Sequence, residues 1–135
     1  MSRVSGSLDT NVLLRLLLKD VPDQHQSAVA LIKSHAGQFA IADIAIMEIV
    51  FVLTGETYGF SRAQAREAVE GVMSMDQLNC NRALFNQALP VYEARSNLSF
   101  EDCCLAVYAK LNNAEPLWTF DKKLAKQAQN TELIN

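Results

Sequence analysis

Short apolar stretches alternate with helix-forming ones along the whole chain, and that alternation narrows the possible folds more than any other feature. The entry at residues 4–8 has strand length. It meets Asp9 and then the run Val12-Leu13-Leu14-Arg15-Leu16-Leu17-Leu18, which has helical length. A strand therefore hands over to a helix at Asp9. The same handover is expected where Pro116-Leu117-Trp118-Thr119-Phe120 leads into Asp121 and the basic residues after it. Strands are expected over 4–8, 38–41, 77–80, 116–120 and 133–134. Helices are expected over 10–18, 22–35, 43–57, 62–75, 82–95, 100–112 and 122–129. Pro22 suits the first position of the second helix, Gly37 stops it, and Ser61 with Gln64 forms a capping box for the fourth. Strands alternating with helices predict an α/β fold with a parallel sheet covered on both faces. Ligands of such sheets sit beyond the carboxyl ends of the strands, which puts Asp9 and Asp121 on one rim.

The 135 residues suit one domain, read here as 1–135, with no repeat or linker to mark a second. Half the residues are apolar (50%) and 20% are charged, so the chain is globular and not disordered. The net charge of −3 argues against bulk electrostatic binding to nucleic acid. It leaves room for an enzyme that holds cations and touches phosphates through a few basic groups. Cys80, Cys103 and Cys104 fit neither a zinc site nor a disulfide framework, and free thiols in a reducing cytoplasm are expected. No signal peptide is evident, and the longest apolar run, 44–53, is interrupted by Glu48 and too short to span a bilayer. A soluble protein with no membrane association is expected.

Four acids stand out: Asp9, Glu48, Asp102 and Asp121. Three have an ordinary structural explanation. Asp9 and Asp121 suit helix N-caps, and Ser99-Phe100-Glu101-Asp102 resembles a capping box with an acid in the first turn. Glu48 caps nothing. Its neighbours three and four residues away, Ala45, Phe51, Ile44 and Val52, are all apolar. A glutamate on an apolar face is expected to be paired, with Arg15 the nearest candidate, or to ligate a metal. Carboxylates gathered in one cleft need a cation to offset their repulsion. Oxygen ligands in that number suit Mg²⁺ or Mn²⁺. The chemistry that uses such a cluster is phosphodiester hydrolysis, which then needs no histidine, serine or cysteine nucleophile. His25 and His35 read as surface residues.

At these residues the chain resembles the PIN-domain family and, within it, the VapC-type ribonuclease toxins of bacterial toxin–antitoxin pairs. The resemblance is carried by Leu8-Asp9-Thr10-Asn11-Val12-Leu13-Leu14-Arg15-Leu16, Met47-Glu48-Ile49-Val50-Phe51-Val52-Leu53, Tyr58-Gly59-Phe60-Ser61-Arg62, Phe100-Glu101-Asp102-Cys103-Cys104-Leu105-Ala106 and Leu117-Trp118-Thr119-Phe120-Asp121-Lys122-Lys123-Leu124. It implies a three-layer α/β/α sandwich around a mainly parallel five-stranded sheet, and a Mg²⁺- or Mn²⁺-dependent endoribonuclease. By that pattern Asp9, Glu48 and Asp102 are the core metal ligands, and Asp121 completes the cluster directly or through water. Asn11 matches a position that orients the first aspartate, and Thr119 a hydroxyl near the fourth acid. A homodimer and a small antitoxin that covers the cleft are implied as well. Many relatives carry an aspartate where this chain has Ser99, a departure that bears on what surrounds the ligands or on a second metal site.

Apart from the resemblance, Arg15, Lys122, Lys123 and Lys126 lie near the proposed rim, with Arg62 and Arg66 after the turn at 58–60. They are candidate phosphate contacts, of the kind that supplies affinity with little sequence preference. A solvated helix face explains Lys122–Lys126 equally well. Phe51, Tyr58 and Phe60 suit a partner surface, though a stripe at helical spacing more often belongs to a core. The main competing reading is a non-catalytic PIN-like module that binds RNA or protein. A phosphatase using Asp9 as nucleophile is disfavoured, because Asn11 stands where a general acid is wanted.

Overall fold

In the computed structural model, which describes residues 4–135, the first strand carries a parallel ladder despite its polar, glycine-containing sequence. Two compact units, Met1–Asn81 and Arg82–Asn135, divide the chain. Residues 1–3 of the expected single domain lie outside the described residues.

The first unit contains β1 (Val4–Ser7), α1 (Thr10–Leu17), α2 (Pro22–Ser34), β2 (Gln38–Ala40), α3 (Asp43–Leu53), α4 (Arg62–Met73) and β3 (Leu78–Asn79). Its strands form a parallel sheet in the order β1-β2-β3. Gly6 pairs with Phe39 at an irregularity in the β1–β2 register. Its φ of 139° lies in a region that side-chain-bearing residues rarely adopt, and a Cβ there would stand 4.0 Å from the Phe39 ring. The constraint on Gly6 is therefore its backbone and not a lack of space. Along β1, Val4 is 68% exposed and Ser5 is half-buried.

The helices of this unit show how pattern becomes packing. α1 buries Leu13 and Leu14, while Leu16, Leu17 and Leu18 are half-buried. Pro22 begins α2 as its fixed φ allows. The capping box of α4 is formed in full: Gln64 N donates to Ser61 Oγ at 3.1 Å and Ser61 N to Gln64 Oε1 at 2.8 Å. α3 turns Ala45, Ile46, Ile49, Val50 and Leu53 inward. It ends at Leu53 and not near residue 57. Thr54 Oγ1 bonds back to Val50 O at 2.7 Å, and Phe60 N reaches Leu53 O at 2.8 Å, so residues 54–60 satisfy the last carbonyls as a turn.

The second unit contains α5 (Arg82–Ala94), α6 (Phe100–Leu111), β4 (Leu117–Thr119), α7 (Lys122–Gln127) and β5 (Thr131–Leu133). α5 packs on α6 around Phe85 and Phe100, whose stacked rings lie 5.9 Å apart, with Tyr92 edge-on to Phe100 at 5.3 Å. β4 and β5 pair in parallel, Leu117 with Thr131 and Thr119 with Leu133. The fold is thus mixed α/β, with all described strand pairs parallel. The expected single sheet of five is described as ladders of three and two strands.

Candidate active site

Each unit carries two of the four singled-out acids. In the first, Asp9 follows β1 and caps α1, with Oδ1 accepting from Val12 N at 3.0 Å. The residue is exposed. The Asn11 side chain lines a cavity beside it, and the bond recorded to Asp9 comes from Val12.

Glu48 requires a correction. The apolar setting predicts an enclosed carboxylate that is paired or ligates a metal, whereas Glu48 is exposed and forms no ion pair among the described residues. Its neighbours Ile44 and Phe51 are 66% and 79% exposed and face solvent with it, while Ala45 turns inward. The buried face of α3 runs through 45, 46, 49, 50 and 53, and Glu48 lies off it. Phe51 is accordingly a surface residue and not core. Arg15, the suggested partner of Glu48, is held by Asp20 instead.

In the second unit Asp102 is half-buried in the first turn of α6, and its N–H donates to Ser99 Oγ at 3.0 Å. Ser99 therefore works as the N-cap of α6, which gives this departure from the related pattern a structural role. Asp121 follows β4 and caps α7, its Oδ1 accepting from Lys123 N at 2.9 Å and Leu124 N at 3.2 Å. Its own N–H donates to Thr119 Oγ1 at 3.0 Å, so the Thr119 hydroxyl helps to fix the fourth acid. Both caps use Oδ1 and leave Oδ2 for other partners.

None of the four acids forms an ion pair among the described residues. Nor is any group of three or more His, Cys, Asp or Glu gathered closely enough there to hold a metal ion. The donor set itself is all-oxygen, which fits a hard divalent cation.

Arg15 is only 14% exposed at its side chain and is engaged locally. Its Nη1 lies 2.9 Å from Asp20 Oδ1 and its Nη2 3.4 Å from Tyr58 Oη. The Tyr58 hydroxyl in turn donates to Asp20 Oδ2 at 2.7 Å. That hydrogen bond, followed by the charge of Arg15, holds the Asp20 carboxyl below its ordinary pKa. Asp20 thus stabilises the fold at pH values above the ordinary carboxylate range. The contribution is lost as pH falls through the depressed value. Tyr58→Phe is expected to raise the Asp20 pKa and to flatten the loss of melting temperature between about pH 6 and about pH 3. Parallel melting curves for parent and variant would show that the triad does not titrate. Nothing in the local sequence signals this triad, because Tyr58 meets Asp20 only through tertiary packing.

Next to Asp9, a cavity of about 370 Å³ opens between α1 and α2, lined by Asn11, Val12 and Arg15 on one side and Gln24, Ser27, Ala28 and Leu31 on the other. The lining residues of α2 recur at three and four, the spacing of one helix face. That periodicity was the available signal for the cavity.

The PIN-domain family model matches residues 7–130. The chain belongs to the PIN-domain family. The match spans both units and includes Asp9, Glu48, Asp102 and Asp121. No curated protein matches the chain. PIN domains are generally nucleases that act on RNA or DNA, and they typically bind divalent metals. This PIN domain accordingly has a nuclease-type fold. No helix among its described residues is long and apolar enough to cross a membrane.

Proposed function

We propose that this PIN domain, taken as one domain over 1–135, is a metal-dependent endoribonuclease and the toxin of a VapC-type toxin–antitoxin pair. The observation that carries the reading is the family match, within which all four acids fall. The proposed ligands of Mg²⁺ or Mn²⁺ are Asp9, Glu48, Asp102 and Asp121. When bound, the ion supplies an activated water and charge neutralisation at the leaving oxygen. Thr119 holds the backbone of Asp121, and Asn11 stands beside Asp9. Lys122 and Lys123, exposed at the start of α7, supply phosphate contacts. The charge of Arg15 is largely offset by Asp20, which makes it the weaker of the three phosphate candidates. A cognate antitoxin, a homodimer and a cytoplasmic location belong to the same reading.

A non-catalytic binding module is favoured by one observation, the lack of three gathered ligands among the described residues. Metal titration separates the two. An ion that binds only the folded protein adds about 2.7 kcal/mol at a hundred times its dissociation constant. Millimolar Mn²⁺ is therefore expected to raise the melting temperature, and EDTA to reverse the rise and stop RNA cleavage. A melting temperature indifferent to Mn²⁺, in a protein that cuts no RNA, would support the module.

A further inference from the structure

The cavity between α1 and α2 has no assigned role in the hydrolysis just described. We propose that it is a base-binding subsite, which takes one unstacked nucleobase of the RNA next to the reacting phosphate. This inference rests on the endoribonuclease reading and names what would give that enzyme its sequence preference.

Four observations favour a nucleobase. The first is size: the open pocket of about 370 Å³ lies at the low end of small-ligand sites and has room for one ring system. The second is the lining. Val12, Ala28 and Leu31 supply apolar walls, while the exposed side chains of Asn11 and Gln24 each bring a donor and an acceptor, and Ser27 adds a hydroxyl. Paired donors and acceptors match the edge of a base, and apolar walls match its faces.

The third observation is charge. Arg15 is the only basic residue lining the cavity among the described residues, and its guanidinium is held by Asp20 and Tyr58. Asp9, on the same wall, repels anions. A neutral ring is favoured over a phosphate. The fourth is position. Asp9 both lines the cavity and is a proposed metal ligand, so a base seated there belongs to a nucleotide close to the cut. Sequence-specific recognition of RNA mostly uses bases splayed out of the stack in this way.

The test uses the full chain with Mn²⁺ and a pool of short RNAs randomised on either side of the cut. The parent protein is expected to show a base preference at one flanking position. Gln24→Ala is expected to relax that preference about tenfold, the scale of one good base contact, and Ser27→Ala to relax it less. In parallel, amide NMR spectra are recorded with each of the four nucleosides in turn. The preferred one is expected to shift the resonances of Asn11, Gln24, Ser27 and Leu31, and Gln24→Ala to weaken that binding. A parent that cuts with a preference unchanged in both variants overturns the subsite and leaves the nuclease standing. A cavity that responds to a protein partner and to no nucleoside also overturns it. A parent that cuts no RNA with either metal overturns the nuclease reading, and the subsite with it.

Discussion

Asp9→Asn is expected to leave the protein folded and to slow RNA cleavage about a hundredfold to a thousandfold, the usual cost of removing one preorganised charge-stabilising group. The substitution separates the observed role of the residue from the proposed one. Its Oδ1 caps α1 through Val12 N, and asparagine caps as well as aspartate does. Its negative charge is what a divalent ion needs, and asparagine lacks it. Melting temperature should therefore move little while the cleavage rate collapses. Asp121→Asn is expected to behave alike, since Lys123 N and Leu124 N can still bond to the amide oxygen. Single-turnover cleavage of a labelled RNA at fixed Mn²⁺, alongside thermal melts, reads both effects. Equal rates for parent and Asp9→Asn would remove Asp9 from the chemistry and leave it a helix cap.

Phe85→Ala is expected to destabilise the protein by about 3–5 kcal/mol, the range for deleting a buried aromatic ring. Phe85 is 0% exposed and stacks on Phe100, which also meets Tyr92 edge-on. Removing it leaves a void where α5 meets α6, and that contact fixes the helix that carries Asp102. A small domain has only about 5–15 kcal/mol of stability in all, so this one change consumes a large share. Urea denaturation followed by circular dichroism measures it, and Phe85→Leu should recover part of the loss. A loss below about 1 kcal/mol would mean that the α5–α6 contact is not the core it is described as.

The elements of the fold were legible in the sequence because their signals are local. Asp9 and Asp121 sit between a strand and a helix, Pro22 opens α2, and Ser61 with Gln64 forms the expected box, since each feature is decided within a few residues. The apolar neighbours of Glu48 suggest an enclosed carboxylate, and the structure exposes it. Composition shows that α3 is apolar, whereas only packing decides which side faces inward, and Ile44 and Phe51 face out with Glu48. Arg15 pairs with Asp20, five residues away, and its bond to Tyr58 depends on the approach of residues 43 positions apart in sequence. Ser99 could be read in advance as the cap of α6, and it is one. The proposed sharing of one ion by the four acids lies furthest beyond local signals, because nothing within a few residues of any of them encodes it.

The proposed ion site comprises Asp9, Glu48, Asp102 and Asp121. A crystal structure of the full chain grown with millimolar Mn²⁺, with anomalous data collected at the manganese edge, tests it most directly. An anomalous peak ligated by Asp9, Glu48 and Asp102, with Asp121 bound directly or through water, is the expected result. Ordered carboxylates with no manganese among them, in crystals that do cut RNA once dissolved, would contradict the claim.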